Sequence, residues 1–148
     1  MREILFRAKT EPCAKDGTTG KIELVPKWIY GYIDLGYMRG KNGAIISDEK
    51  ANHAYRCQYA TIGQYTGLID KNGKKIFEGD IVRYAIYPPD QFVHGVVNYK
   101  DGAFRIGDQG CALCVCAADG IEEYRLEVIG NIHDNPEVLQ QHKNPKEE

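Results

Sequence analysis

The sequence has no long hydrophobic run, no strong net charge and no secretion signal. No apolar stretch approaches the roughly 20 residues that a helix needs to cross a membrane. The first residues, Met1 to Ile4, lack the basic and then apolar pattern of a signal peptide. A net charge of −2 gives no general attraction to nucleic acid or to an anionic membrane. These absences predict a cytoplasmic protein that makes no membrane contact.

A recognisable catalytic motif is also missing. The glycines follow no phosphate-binding spacing, and the four histidines are scattered along the chain. Glu78 and Asp80 have the spacing of a carboxylate pair, but beside Gly79 they more simply cap and solvate a turn. Because no Ser or His partner stands with them in a motif, we predict no enzyme activity, no catalytic residue and no cofactor.

Five cysteines are an odd number, and their spacing is not that of a secreted disulfide framework. Cys111, Cys114 and Cys116, with His53 and Cys57 elsewhere, supply enough soft ligands for a zinc ion. The intervening residues are Ala, Leu and Val, which indicate a strand on which Cys114 and Cys116 share a face without Cys111. Since free cysteine often packs as a small buried hydrophobe, we favour core packing and predict no metal site.

What the sequence has in abundance is turn signals between short alternating stretches. The central stretch, from Gln64 to Val82, consists of a strand, an Asn72-Gly73 turn, a second strand, and a Glu78-Gly79-Asp80 turn into a third. Asn-Gly predicts a two-residue type I′ hairpin, which needs positive φ at both positions. By analogy, this order of elements is typical of the start of a five-stranded SH3-type barrel.

Further strands are predicted on both sides of the central stretch. Before it they cover residues 4–8, 27–34 and 44–47, with a bulge or close neighbour at Gly31 and a loop or short helical turn over 48–56. After it they cover 81–87, 93–99, 103–106 and 124–129, with a further apolar run over 111–118. Asn135-Pro136-Glu137 predicts the start of a short helix that ends near Gln141.

The expected fold is therefore mainly β with minor α. Residues 1–63 form an N-terminal antiparallel β region, and residues 64–141 form an SH3-type β-barrel domain with a short C-terminal helix. Residues 142–148 form a disordered tail.

An aromatic row occupies one face of the strand over residues 27–34. Trp28, Tyr30 and Tyr32 alternate there with Ile29, Gly31 and Ile33 on the other face. If exposed, the row would stack nucleic-acid bases, with Lys27, Arg39 and Lys41 as phosphate contacts, or would contact a protein. We favour the third interpretation, in which the row is the inner face of a sheet, because such rows usually face a core and the chain is slightly acidic.

The two halves of the chain carry opposite charge. Residues 1–63 contain 10 Lys and Arg against 7 Asp and Glu, and residues 64–148 contain 9 against 14. Two explanations are equally good: the halves attract each other, within one chain or between copies, or the uneven charge arose by chance. Together with abundant sheet and edge strands, it favours a non-catalytic protein-interaction module that forms homo-oligomers. The alternative is a nucleic-acid-binding module that uses the barrel or the Trp28/Tyr30/Tyr32 strand.

Several stretches together resemble the YopX family. They are Arg2 to Ala8, Trp28 to Gly31, Gln64 to Val82, Glu127 to Ile132 and Asn135 to Leu139. The resemblance implies a phage or prophage accessory protein of unknown biochemical role, with an SH3-type barrel in its C-terminal part and a phage or host protein as a further partner. Lys9 stands where the family commonly has Trp. No catalytic residues are established for the family, so none is carried over.

Overall fold

The computed structural model describes residues 3–12, 14–15, 22–23, 25–34, 43–48, 50, 53–86, 91–107 and 126–142. Its strands are β1 Phe6–Lys9, β2 Ala14–Lys15, β3 Ile22–Glu23, β4 Trp28–Asp34, β5 Gly43–Asp48, β6 His53–Gln58, β7 Gly63–Ile69, β8 Lys75–Phe77, β9 Asp80–Ile86, β10 Gln91–Lys100, β11 Ala103–Ile106 and β12 Glu127–Asn131. Two short 3₁₀ helices, Tyr59–Thr61 and Pro136–His142, accompany them. The predicted mainly β fold is confirmed. Within the described ranges, no helix has the length and apolarity that a membrane crossing requires.

The chain divides into two compact units, Met1–Tyr65 and Thr66–Glu148, which we call unit 1 and unit 2. The division lies two residues after the boundary expected from the sequence, and β7 runs across it. Each unit has its own hydrophobic core.

Unit 1 is an antiparallel sheet in the order β6-β5-β4-β1-β7. Its strands pair in a register that brings apolar side chains together on one face, with Ala8 opposite Ile29 and Ile46 opposite Tyr55. These four residues and Cys57 are buried as the core of the unit. Because side chains alternate along a strand, the intervening residues lie on the other face.

Strand β6 was not predicted. Most of it falls in the stretch over 48–56 that the sequence analysis treats as a loop or helical turn, and that prediction is wrong. Tyr55 and Cys57 are buried while Ala54 and Arg56 are exposed, which is the period of a half-buried strand. With only two apolar residues on the inner face, the alternation is too short to recognise among polar neighbours.

The outer edge of β6 is covered by the segment that follows β1. Thr10 forms a bridge with Cys57, and the Glu11 amide donates to the Arg56 carbonyl at 3.0 Å. The Gln58 side-chain amide donates to the Thr10 carbonyl at 2.9 Å. Main-chain groups at this end of β6 are therefore already paired, which removes one of the edge strands that the sequence analysis offers for association.

Unit 2 is built on an antiparallel sheet in the order β11-β10-β9-β12, with the β7–β8 hairpin before it. Its core consists of residues from most of these strands and from the residue that precedes β12: Ile76, Val82, Val97, Phe104, Ile106 and Leu126. Leu126 and Val128 both contact this core, as their predicted common face requires.

Two hairpin turns of unit 2, at Asn72-Gly73 and at Asp101-Gly102, have different backbone conformations. Asp101 and Gly102 have φ values of 52° and 78°, the positive pair that a type I′ hairpin needs. At Asn72-Gly73 only Gly73 has positive φ, so the predicted type I′ turn is wrong. The Gly73 amide donates to the Asp70 carbonyl at 3.0 Å, which makes a turn from Asp70 to Gly73 with glycine in the left-handed position.

The predicted C-terminal helix is present as the 3₁₀ helix Pro136–His142, so His142 belongs to the helix and not to a tail. The Asn135 side-chain oxygen accepts from the Asn131 amide at 3.4 Å instead of capping the helix, and the Asn135 carbonyl accepts from Val138. The predicted apolar run over 111–118 and the tail residues 143–148 lie outside the described residues.

Candidate functional site

The aromatic row of β4 faces outward. Tyr30 and Tyr32 are each 46% exposed and Trp28 is half-buried, whereas Ile29 on the opposite face is 5% exposed. The favoured interpretation of the row as the inner face of a sheet is therefore wrong. Alternation separates the two faces of β4 correctly, but both faces carry apolar side chains, so the pattern does not say which one meets the core.

Gly31 lies on the inner face of β4, where a neighbouring backbone comes close. A Cβ atom at this position would lie 1.9 Å from the Ser47 carbonyl oxygen of β5. The close neighbour predicted at Gly31 is thus the backbone of the adjacent strand. Tyrosine, in contrast, suits an exposed face because its ring offers apolar contact area and its hydroxyl bonds water.

Two cations of β1 lie beside the first residue of the row. The Lys9 ammonium is 5.7 Å and the Arg7 guanidinium carbon 4.7 Å from the centre of the Trp28 ring, both within cation–π range. The β1–β4 register places Lys9 opposite Trp28 and Arg7 opposite Tyr30, so both cations lie on the same face as the row. Lys9, where the YopX family commonly has Trp, therefore contributes charge next to an aromatic ring.

The other end of β4 is acidic. Asp34 follows Tyr32 by two residues and so lies on the same face, about 20 Å along the strand from Trp28. It pairs across the sheet with Ile45, which in turn pairs with Arg56 of β6. The Arg56 guanidinium forms an ion pair with Glu11 at 3.0 Å. We call Lys9, Trp28, Tyr30, Tyr32 and Asp34, with Arg7 against the Trp28 ring, the β4 face.

Of the three predicted phosphate contacts the structure describes Lys27, whose charged group lies away from this row. The Lys27 ammonium lies 5.2 Å from the ring of Tyr55, a residue of the core face. Arg39 and Lys41 lie outside the described residues. Arg7 and Lys9, which the structure places beside the row, were not among the candidates because only strand pairing brings them there.

Of the two carboxylates beside Gly79, Asp80 has a structural role in the turn. Asp80 is 1% exposed and its Oδ2 accepts a hydrogen bond from the Phe77 amide at 2.8 Å. Gly79, with φ of +83°, supplies the positive dihedral angle of the turn. Asp80 therefore holds the turn that begins β9.

Asp70 is a buried carboxylate that the sequence analysis did not single out. Its Oδ1 accepts from the amides of Asn72 and Lys74 at 2.8 and 2.9 Å, and its Oδ2 accepts from the Val128 amide at 3.0 Å. Burial opposes ionisation, but the hydrogen bonds from Val128, Lys74 and Asn72 outweigh it and lower the pKa of Asp70. An Asp two residues before the Asn of an Asn-Gly turn was the available signal.

A charged cluster lies next to this turn. Glu127 forms ion pairs with Lys71, at 3.2 Å, and with Arg83. Burial raises the pKa of Glu127, but the bonds and charges of Lys71 and Arg83 outweigh it, so the pKa is lowered. The Arg83 guanidinium also lies 5.1 Å from the ring of Phe92. The cluster links the hairpin loop, β9, β10 and β12 and has the character of a structural clamp.

Metal binding gains no support from the part of the chain that the structure describes, where no group of three potential ligands is found. Cys111, Cys114 and Cys116 lie outside that part. Cys57 is fully buried in the core of unit 1, which agrees with the predicted packing role.

Cys57 is expected to resist thiol reagents in the folded protein. Burial raises the pKa of Cys57 to about 11, so about one thiol in ten thousand is ionised at pH 7, and the side chain is also inaccessible. Peptide-resolved mass spectrometry after iodoacetamide treatment at pH 7 should show Cys57 unlabelled without denaturant and fully labelled in urea. Rapid labelling of the native protein at Cys57 would contradict its place in the core.

Fold and site together define a mainly β protein of two small units, one of which presents an exposed aromatic strand. The family model described as YopX protein matches residues 26–140, and the chain belongs to this family. The resemblance noted from the sequence is confirmed. A solved structure, protein EF1440 from Enterococcus faecalis, is 25% identical, with a TM-score of 0.51, and the alignment covers 94% of this chain and 99% of that one. No curated protein matches the chain.

Proposed function

We propose that this YopX protein is a non-catalytic protein-interaction module whose contact surface is the β4 face. The observation that carries the proposal is the outward orientation of Trp28, Tyr30 and Tyr32 on a strand whose other face is the core. Contiguous exposed aromatic surface is uncommon on a monomer and often marks an interaction site.

The composition of the β4 face suits a protein partner. Tyr, Trp and Arg are the residues most often found at the energetic centre of protein interfaces, and Tyr and Trp bury much area there while losing little side-chain entropy. The face also carries both signs of charge, with Lys9 at one end and Asp34 at the other. A partner that contacts the whole face has to offer both signs as well.

The alternative of single-stranded nucleic acid draws support from one observation. Arg7 and Lys9 lie beside Trp28, the combination of cation and aromatic ring that such sites use. The acidic Asp34 at the other end of β4 opposes it, since a polyanion would be repelled at that end. A gel shift with single- and double-stranded DNA and RNA at low salt decides, and retardation at micromolar protein would favour nucleic acid over a protein partner.

The double variant Tyr30→Ser, Tyr32→Ser is expected to abolish partner binding without unfolding the protein. Both rings are exposed, so their loss removes contact area and not core packing. Tyr59→Ser is the matched control, because Tyr59 is 55% exposed in unit 1 but lies on the 3₁₀ helix. In cross-linking mass spectrometry with prophage-bearing cells, the wild type and the control should recover partners, and the double variant should not. Recovery of the same partners with the double variant would refute the proposal.

We infer further, from family membership, that the protein is a cytoplasmic accessory protein of a phage or prophage. For unit 2 we propose an SH3-type barrel, supported by the β7–β8 hairpin, the Gly79 turn and the β9-β10-β11 meander. Closure of a barrel would protect the β11 amides that point away from β10. Hydrogen exchange of those amides within seconds would argue against closure.

A further inference from the structure

We propose that the β4 face binds the β4 face of a second copy of the same chain, with the two copies related by a two-fold axis. This rests on the proposed function and names its partner. Most soluble homo-oligomers are two-fold dimers whose contact uses one patch twice, so the patch has to be complementary to itself. The β4 face meets this condition through the order of its charges.

The charges of the β4 face are segregated along the strand. Lys9 lies at the Trp28 end, where its ammonium contacts the Trp28 ring, and Arg7 lies against the same ring. Asp34 closes the other end of the row, after Tyr32. At the centre of the row Arg7 lies opposite Tyr30 but is only 4% exposed, so the rings of Tyr30 and Tyr32 form the exposed surface there.

A two-fold axis through this centre reverses the direction of the second strand. Tyr30 of one copy then lies over Tyr32 of the other, and the Lys9 end of each copy lies over the Asp34 end of its mate. Opposite charges meet twice and the four tyrosines stack in the middle. Packing in the same direction would instead place Lys9 over Lys9 and Asp34 over Asp34.

The size of the surface sets the expected strength. The row is about 20 Å long, and the sheet curves around its core, because Thr10 and Glu11 after β1 pair with β6. A convex surface centred on β4 makes contact over about two strand widths of about 4.8 Å, on the order of 200 Å², which lies well below the about 800 Å² that each partner contributes to a stable interface. The dimer should therefore be weak and form in the micromolar range or above, with a strong dependence on salt.

Charge reversal tests this arrangement. Lys9→Glu would bring a new carboxylate over Asp34 of the other copy, and Asp34→Lys would bring a new ammonium group over Lys9. Each variant alone should dimerise at least tenfold more weakly than the wild type in sedimentation velocity runs at low salt. An equimolar mixture of the two variants should form a heterodimer. In it the new carboxylate at position 9 of one variant meets the new ammonium at position 34 of the other, and the unchanged Asp34 meets the unchanged Lys9. Lys50→Glu, at an exposed position of unit 1 outside the face, should dimerise as the wild type does.

Three results would overturn the arrangement: a wild type that remains monomeric at several hundred micromolar, variants that dimerise normally, or a mixture that fails to recover. Circular dichroism of both variants tests whether unfolding causes a loss of dimerisation. Asp34→Lys also leaves the Lys9–Trp28 contact in place, so its effect does not come from that contact. A monomeric wild type whose cross-linked partners depend on Tyr30 and Tyr32 would refute the dimer and leave the proposed function standing. A monomeric wild type whose cross-linked partners do not depend on Tyr30 and Tyr32 would refute the dimer and the proposed function together.

Discussion

Gly31→Ala is expected to destabilise unit 1 by about 3 kcal/mol or more, at the upper end of the cost of overpacking. The added methyl group would lie 1.9 Å from the Ser47 carbonyl oxygen and 2.7 Å from its carbon. These are backbone atoms of the neighbouring strand and not the end of a flexible side chain, so β4 and β5 must separate to make room. That movement would weaken the ladder between β4 and β5, in which Ile33 pairs with the buried Ile46.

The single tryptophan provides the measurement. Trp28 lies on the same strand as Gly31, so its fluorescence during urea unfolding reports on unit 1. Gly73→Ala is the control, because a Cβ there meets nothing within 4 Å. Its φ of +81° should limit the loss of stability to about 1 to 2 kcal/mol. Circular dichroism measures the unfolding of this variant. An unchanged urea midpoint for Gly31→Ala would contradict the close approach of β5.

Asp70→Ala is expected to destabilise unit 2 by about 3 kcal/mol, because each hydrogen bond to a charged group contributes about 1.5 to 3 kcal/mol and the exposed loop amides regain water. The side chain is 5% exposed and joins the hairpin loop to β12 through the Val128 amide. Asp70→Asn should cost less, since its oxygen still accepts from Asn72 and Lys74. Asp101→Asn in the other hairpin is the control and should be nearly neutral.

The same carboxylate predicts a dependence on pH. Because the pKa of Asp70 is lower in the folded protein than in the unfolded chain, the stabilisation is complete above the ordinary value near 4 and is lost as pH falls through the folded pKa. The difference in urea midpoint between wild type and Asp70→Ala should therefore be largest at pH 7 and shrink below pH 4. The lowered pKa of Glu127 makes both the wild type and Asp70→Ala lose stability as pH falls. A difference that grows in acid would contradict the hydrogen bonds described here.

Sequence patterns located the strands better than they located their faces. The central stretch gave β7, β8 and β9 in their places, because its turns are marked by glycines that adopt positive φ at Gly73 and Gly79. The kind of turn at Asn72-Gly73 depended instead on Asp70, whose side chain competes for the turn amides. A turn residue can be recognised from the local sequence, whereas the type of turn depends on which side chains form hydrogen bonds with its amides.

The candidate site depended on contacts distant in sequence. Trp28, Tyr30 and Tyr32 were recognised as one row, but their exposure depends on which face of β4 packs against the core of unit 1, which no local pattern encodes. Lys9 joined the row through the antiparallel register of β1, 19 positions before Trp28. Period-two alternation gives the members of a face, and the tertiary fold determines whether that face meets water.

The pairing of Thr10 and Glu11 with β6 has a consequence for how far any assembly can grow. Fibrils extend when one chain after another adds a strand to an open margin. At this end of unit 1 the Arg56 carbonyl is already taken by the Glu11 amide, and an arriving strand finds its docking groups occupied. In the proposed dimer, contact through the outer side of β4 instead closes on itself once two copies have met, so association there would still give a small, bounded particle.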